Sequence, residues 1–335
     1  MREFFREIVR GLKNEQPVML VSVIEAGGST PRGAGAMMAV FPDGRSIGTV
    51  GGGNVEFAAQ KKAAKLLESR ESIVERFRFV PGDAASLGMV CGGDVTLHFQ
   101  YLPAGDLDAV DCFRDIQTAS AGTLNTWLVR KIVEGRVEAM GLADRNGLRG
   151  LPEGTVLPQG LLENQGVLKD EWFACPVVRG GRLYVFGGGH VAQALVPVAA
   201  GVGFRPVVSD DRPEFTDPKL FPGAEETFCG DFEHLEEKIS VSPDDYVVIM
   251  TRGHQADNEV LMKVLRSGAK YIGCIGSRKK MAYCKGVLLE AGFTEEEYAR
   301  IHTPIGLPIG AETPAEIAVC IVAELMSVRA GLDKR

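Results

Sequence analysis

Two glycine-rich runs carry the spacing that could do chemistry. Gly51-Gly52-Gly53 closes a run that begins at Gly48 and opens onto Asn54-Val55-Glu56. Gly187-Gly188-Gly189-His190-Val191-Ala192 follows directly on the apolar run Leu183-Tyr184-Val185-Phe186. Each reads as a strand turning into a helix with almost no side-chain bulk at the corner. Such a corner lets backbone N–H groups reach a ligand, and the helix N-terminus behind it favours an anion. Two corners of this kind predict a protein that holds phosphorylated small molecules.

The second run matches the dinucleotide fingerprint G-x-G-x-x-[GA]. Gly187 makes the tight turn, Gly189 admits a pyrophosphate to the backbone, and Ala192 lets helix and strand pack closely. Asp210 falls about 20 residues further on, where the fingerprint expects an acid for ribose hydroxyls. Arg212 beside it is compatible with a 2′-phosphate. Further candidates sit where strands end: Arg252 and His254 after the run 245–250, and Ser277, Arg278 and Lys279 after 270–275. The basic groups would clamp phosphate and Ser277 would cap a helix. His190 and His254 fit no standard zinc spacing, so they are read as ligand or turn contacts and no metal site is expected.

In the first half, Gly27-Gly28-Ser29-Thr30-Pro31-Arg32 follows an apolar run, and Arg32 is placed to bind an anion. Glu56 lies in the helix opened by Gly51–Gly53. Cys91-Gly92-Gly93 precedes another strand, and Cys91 has little bulk on its C-terminal side, which suits a soft donor or sulfur contact. No G-x-S-x-G context surrounds Ser29, so a nucleophilic hydrolase is not expected, and no catalytic residue is assigned.

These residues need scaffolds. Residues 17–24 read as a buried strand, 36–40 and 46–50 as a hairpin across Pro42-Asp43-Gly44, and the stretch from Asn54 as a helix. Strands are expected at 73–80, 94–101, 126–130 and 136–143, with a helix at 106–119. Residues of about 144–180 are rich in Gly, Pro and Asn and read as an irregular connection. Beyond it, strands at 182–186, 205–209, 245–250 and 270–275 alternate with helices near 190–200, 256–267 and 279–291. A last helix spans 314–329 behind a Thr313-Pro314 cap. Pro197 should kink the first of these helices. The expected fold is α/β: an N-terminal mixed α/β domain at 1–180 and a C-terminal Rossmann-like, doubly wound parallel sheet at 181–335.

Composition narrows the function. A chain of 335 residues exceeds one ordinary core and fits two domains. The formal net charge of -7 argues against a nucleic-acid partner. No apolar run approaches the roughly 20 residues of a membrane span. The start of the chain reads as an amphipathic helix and not a signal peptide. Its 7 cysteines form no CxxC pair, which suits reduced thiols and a cytoplasmic location. A homodimer is the expected assembly by frequency alone.

Jointly, Gly27 to Arg32, Gly48 to Glu56 and Cys91-Gly92-Gly93 resemble the first domain of the XdhC/CoxI family of xanthine dehydrogenase accessory factors. Gly187 to Ala192, Ser209 to Arg212, Thr251-Arg252-Gly253-His254 with Asp257, Ile275 to Arg278 with Lys280, and the segments 302–307 and 313–318 resemble its Rossmann domain. The resemblance covers nearly the whole chain, with only 103–180 weakly marked. It implies a molybdenum cofactor (molybdopterin) chaperone that protects the cofactor while a cysteine desulfurase sulfurates it. The cofactor then passes to a molybdenum hydroxylase of the xanthine dehydrogenase type. On that resemblance Cys91 contacts the cofactor or its incoming sulfur, and Arg32, Gly51–Gly53 and the Rossmann turn hold pterin and phosphate. Two alternatives stay open: an NAD(P)-dependent oxidoreductase with His254 or Tyr271 as proton donor, and a non-catalytic module that docks a hydroxylase subunit.

Overall fold

The computed structural model describes residues 1–28, 30, 32–79 and 93–332. The chain divides into two compact units, Met1–Arg179 and Gly180–Arg335.

The first unit contains α1 (Arg2–Lys13), β1 (Val18–Gly28), β2 (Met37–Val40), β3 (Ser46–Gly48), α2 (Gly53–Ser69), β4 (Ile73–Phe79), β5 (Gly93–Leu102) and α3 (Leu107–Ala119). It continues through β6 (Thr126–Val133), β7 (Arg136–Asp144), β8 (Gly147–Arg149), β9 (Val167–Lys169) and β10 (Trp172–Val178). Two five-stranded antiparallel sheets result, ordered β3-β2-β1-β5-β4 and β8-β7-β6-β10-β9. Strand β1 is apolar without alternation because the first sheet is covered on both faces. Met19, Val21 and Val23 pack with Val55, Ala59, Ala63 and Leu66 of α2. Val18, Leu20 and Ile24 share the opposite core with Phe5, Ile8 and Leu12 of α1 and Phe113 and Ile116 of α3. The buried positions of α1 recur at helical spacing, which turns its apolar stripe inward.

Strand β10 departs from the expected irregular connection. It lies between β6 and β9, with Phe173, Ala174 and Cys175 wholly buried. Pro176 lies in the strand, and the register with β6 shifts between Pro176 and Val178. Proline there lacks a ladder donor, which weakens the strand pattern in the sequence.

The second unit contains β11 (Arg182–Phe186), α4 (His190–Gly201), β12 (Arg205–Asp210), β13 (Glu226–Cys229), β14 (Tyr246–Ile249), α5 (His254–Val264), β15 (Tyr271–Cys274), α6 (Arg278–Glu290), α7 (Glu295–Ala299), β16 (Ile301–His302) and α8 (Pro314–Arg329). All its strand pairs are parallel, in the order β13-β12-β11-β14-β15-β16. Counted within the unit this is the Rossmann order, and the direction of winding reverses between β11 and β14. Leu183 and Val185 of β11 pack with residues of α4 and α8. Tyr184 and Phe186 of the same strand pack with residues of α5 and α6. The sheet is therefore covered on both faces. Helix α4 runs through Pro197. No helix among the described residues is long and apolar enough to cross a membrane.

Candidate functional site

In the second unit the carboxyl ends of β11, β14 and β15 lie side by side, and each leads into a helix: α4, α5 and α6. Gly189 caps α4 and Gly253 caps α5, both with extended backbone. A first side-chain carbon placed on either glycine would meet no atom within 4 Å. Both helix N-termini are thus bare main chain at the switch point of the sheet, where open α/β folds receive ligands. His190 and His254 are the first residues of α4 and α5, and both are exposed. His254 lies edge-on to Tyr283 with ring centroids 5.0 Å apart. Arg252 is exposed in the β14–α5 turn, and Arg278, the first residue of α6, is exposed as well. The Ser277 hydroxyl accepts from the Lys280 N–H at 3.2 Å, so it caps α6.

The first two glycines of the turn do different work from Gly189. Gly187 has φ of +104°, and a side chain there would come within 2.3 Å of the Met250 carbonyl oxygen. At Gly188 the carbonyl oxygen of Phe215 occupies that space at 2.0 Å. Both positions are closed by neighbouring backbone, and Gly189 alone of the three is open.

Asp210 is bound within the protein itself. It is buried, and its carboxylate accepts from the Gly188 N–H at 2.7 Å and the Arg212 N–H at 3.0 Å. It also accepts from the Arg212 guanidinium at 2.8 and 3.0 Å. Burial alone would raise its pKa, but the bonds from Arg212 and Gly188 bring it below the usual carboxylate value. Arg212 in turn stacks over Phe215 at 3.8 Å. The expected ribose acceptor ties β12 to the glycine turn and to the 213–215 segment. Tyr271 is likewise committed: it is buried and donates to Glu324 at 2.6 Å. This corrects its candidacy as a proton donor for hydride transfer.

A residue given no role of its own in the sequence reading, Asp257, organises the β14–α5 turn. It is wholly buried, and it accepts from the Thr251 N–H at 3.2 Å and from the Thr251 hydroxyl. It also pairs with Lys280, whose ammonium donates to the Ile275 carbonyl at 3.2 Å. An acid in the first turn of a helix after Thr-Arg-Gly was the available signal.

In the first unit, one end of the antiparallel sheet gathers the candidate segments. Gly28 at the end of β1 faces Gly93 at the start of β5, which also faces Phe79 at the end of β4. Gly48 ends β3 opposite Met38, next to the start of β2. Arg32 is exposed in the connection that follows β1 and forms no ion pair among the described residues. Gly51, Gly52 and Gly53 all have positive φ, at 147°, 73° and 57°. A side chain on Gly52 or Gly53 would meet nothing within 4 Å. Glu56 holds this turn together. It accepts from the Thr49 hydroxyl and from the Gly52 N–H at 3.1 Å, while the Thr49 hydroxyl accepts from the Gly51 N–H at 3.1 Å. Cys91 and Gly92 lie outside the described residues. Among the described residues no group of three His, Cys, Asp or Glu side chains is arranged to hold a metal ion.

The chain thus combines a parallel sheet in Rossmann order with an antiparallel α/β unit that bears its own open glycine turn. Residues 183–325 match the XdhC Rossmann domain, and residues 12–78 match the XdhC and CoxI family. The chain belongs to this family. It is 27% identical to the Escherichia coli K12 protein YqeB over 97% of its own length, and it spans about half, 46%, of that relative. It is 26% identical to a probable xanthine dehydrogenase subunit of Bacillus subtilis, covering 95% of each chain. It is also 26% identical to the molybdenum cofactor insertion chaperone PaoD of Escherichia coli K12, over 98% of this chain and 88% of PaoD. A crystal structure described as a xanthine dehydrogenase from Bacillus halodurans superposes with a TM-score of 0.75 at 26% identity, covering 98% of this chain and 97% of the other.

Proposed function

We propose that this chain is a molybdenum cofactor-binding accessory protein. In this reading it supports sulfuration of the cofactor and its insertion into a molybdenum hydroxylase of the xanthine dehydrogenase type. The observation that carries the reading is the set of open glycines, Gly52 and Gly53 in one unit and Gly189 and Gly253 in the other. A pterin phosphate or pyrophosphate needs main chain with no side chain in the way, and Gly53, Gly189 and Gly253 fit that need, while Gly52 is open on its Cα side but spends its N–H on Glu56. Two relatives, one named for xanthine dehydrogenase and one for cofactor insertion, support the same class of ligand.

On this proposal Gly189, His190, Gly253 and His254, with Arg252 and Arg278 beside them, hold the anionic part of the cofactor. In the first unit, taken by itself, Arg32, Gly51–Gly53, Cys91 and Gly92 are the cofactor contacts this proposal assigns, with Cys91 assigned to the metal or its incoming sulfur. Bound, the cofactor supplies the metal centre, and the chain's own residues bind and shield it. The cysteine desulfurase partner, the homodimer and the cytoplasmic location belong to the same proposal. NAD(P) binding is a weaker reading, since Asp210 is already saturated by Gly188 and Arg212.

The test is elemental and mass analysis of the protein purified from a host that synthesises molybdopterin. Co-purified molybdenum and pterin at near one equivalent per chain are expected. Protein that neither carries nor takes up molybdopterin would overturn the proposal.

A further inference from the structure

A cleft of about 760 Å³ opens in the first unit between α3, the end of β5, and β7 with the 149–152 segment. None of the glycine turns lines it. Its buried lining is mainly apolar, made by Leu102, Ala109, Cys112 and Leu142, with one buried polar side chain, Gln100, whose carbonyl oxygen accepts from Arg130 at 3.0 Å. Its rim carries carboxylates. Asp108, Asp111 and Asp115 lie at i, i+3 and i+7 on α3, which places them on one face of the helix. All three are exposed and all three line the cleft. Asp111 pairs with Arg114 of its own helix, whereas Asp108 and Asp115 form no ion pair among the described residues. Asp115 acts on the floor: burial first, and then its charge, push the Cys112 thiol up to about 12. The opposite rim contributes Arg136 and Arg149, and Arg149 is neutralised by Asp144.

An apolar floor beneath a row of partly uncompensated carboxylates selects its occupant by charge as well as by shape. We propose that this cleft docks a segment of a partner protein in which one apolar side chain is flanked by lysine and arginine residues. The apolar side chain enters over Cys112 and Leu142, and the basic groups meet the α3 row. The inference does not depend on the cofactor reading, because it uses neither glycine turn.

The test uses the full chain and a fluorescein-labelled synthetic peptide with one leucine between two lysine–arginine pairs. Binding is followed by anisotropy at several salt concentrations. The variant Asp108→Asn/Asp111→Asn/Asp115→Asn should weaken binding by about ten-fold or more and flatten the salt dependence. A control of equal charge change in the second unit, Glu233→Gln/Glu236→Gln/Glu237→Gln, should change it less than about two-fold. A peptide with serine in place of leucine should lose about ten-fold on the wild-type chain. Circular dichroism establishes that both variants are folded. The proposal is overturned if the wild type fails to bind, if both triple variants weaken equally, or if the serine peptide binds as well as the leucine peptide. Self-association abolished by the α3 variant would assign the cleft to a second copy of the chain. Displacement by spermidine with no dependence on leucine would assign it to a small polycation. Either result would also overturn the proposal.

Discussion

The backbone N–H of Gly188 donates to the buried carboxylate of Asp210 at 2.7 Å, so the residue expected to receive a ligand instead braces the turn that would hold one. Replacing Asp210 with Ala leaves the Gly188 N–H without its acceptor and Arg212 without its partner. Arg212 is partly exposed, so the pair counts for less than a fully desolvated one. We expect a loss of about 2–3 kcal/mol, read by urea denaturation. Asp210→Asn should cost less, because it keeps an acceptor oxygen for Gly188. Equal stability of Asp210→Ala and wild type would show that the bond is not needed.

Gly187 and Gly189 separate folding from binding. Gly187→Ala introduces a side chain at φ of +104° and against the Met250 carbonyl, so at least about 2 kcal/mol should be lost. Gly189 has φ of −68° and open space, so Gly189→Val should fold with a melting temperature near that of wild type. Its branched side chain would nevertheless cover the α4 amides, and retention of molybdopterin should fall by about ten-fold or more. Calorimetry for stability and pterin analysis for retention check the two arms. Unchanged retention in Gly189→Val would remove this corner from the cofactor site.

The fold was legible where one physical signal dominated. The doubly wound half shows itself through apolar strands alternating with helices, and Thr313-Pro314 announces α8 through a capping box with Glu316. The short strands β13 and β16 were not legible. Residues 226–229 are half-exposed, and β16 has only two residues, too few for any period to appear. The site was legible as a set of positions and not as a set of orientations. Spacing places an acid at Asp210, but only the path of the 211–215 segment turns that acid toward Gly188 and Arg212. Glu324 gave a clearer hint, as a lone carboxylate inside the apolar run of α8, yet its partners Tyr271 and Gly306 come from distant parts of the chain.

His98 should make the first unit acid-sensitive. It is wholly buried, with Nε2 3.0 Å from the Gly135 carbonyl oxygen. Burial, and then the charge of buried Arg130, lower its pKa from 6.5 to about 3, against the opposing effect of the Gly135 carbonyl. The unfolded chain therefore takes up the proton first as the pH falls. The stability is complete above pH 6.5 and is lost progressively toward pH 3. By pH 5 the loss should reach about 2 kcal/mol. His98→Gln keeps a donor for Gly135 and removes the titration, so its stability should fall less between pH 7 and 5. Parallel pH profiles for variant and wild type, measured by urea denaturation, would contradict this assignment.

Glu324 should make the second unit sensitive at lower pH. Its carboxylate accepts from the Tyr271 hydroxyl at 2.6 Å and the Gly306 N–H at 2.8 Å, with His302 Nδ1 at 3.5 Å. Burial opposes the charge, but the nearby His302 ring and the bonds from Tyr271 and Gly306 hold its pKa at about 2, below the usual 4.5. Its contribution is thus present above pH 4.5 and lost as the pH falls toward 2. Glu324→Ala leaves two buried donors unsatisfied and should lose about 3 kcal/mol at pH 7. Glu324→Gln should lose less, and its deficit relative to wild type should shrink between pH 5 and 2.5. Hydrogen exchange at the β15 and β16 amides reports this unit separately from the first. A deficit independent of pH would mean that the ionised carboxylate contributes nothing beyond its shape.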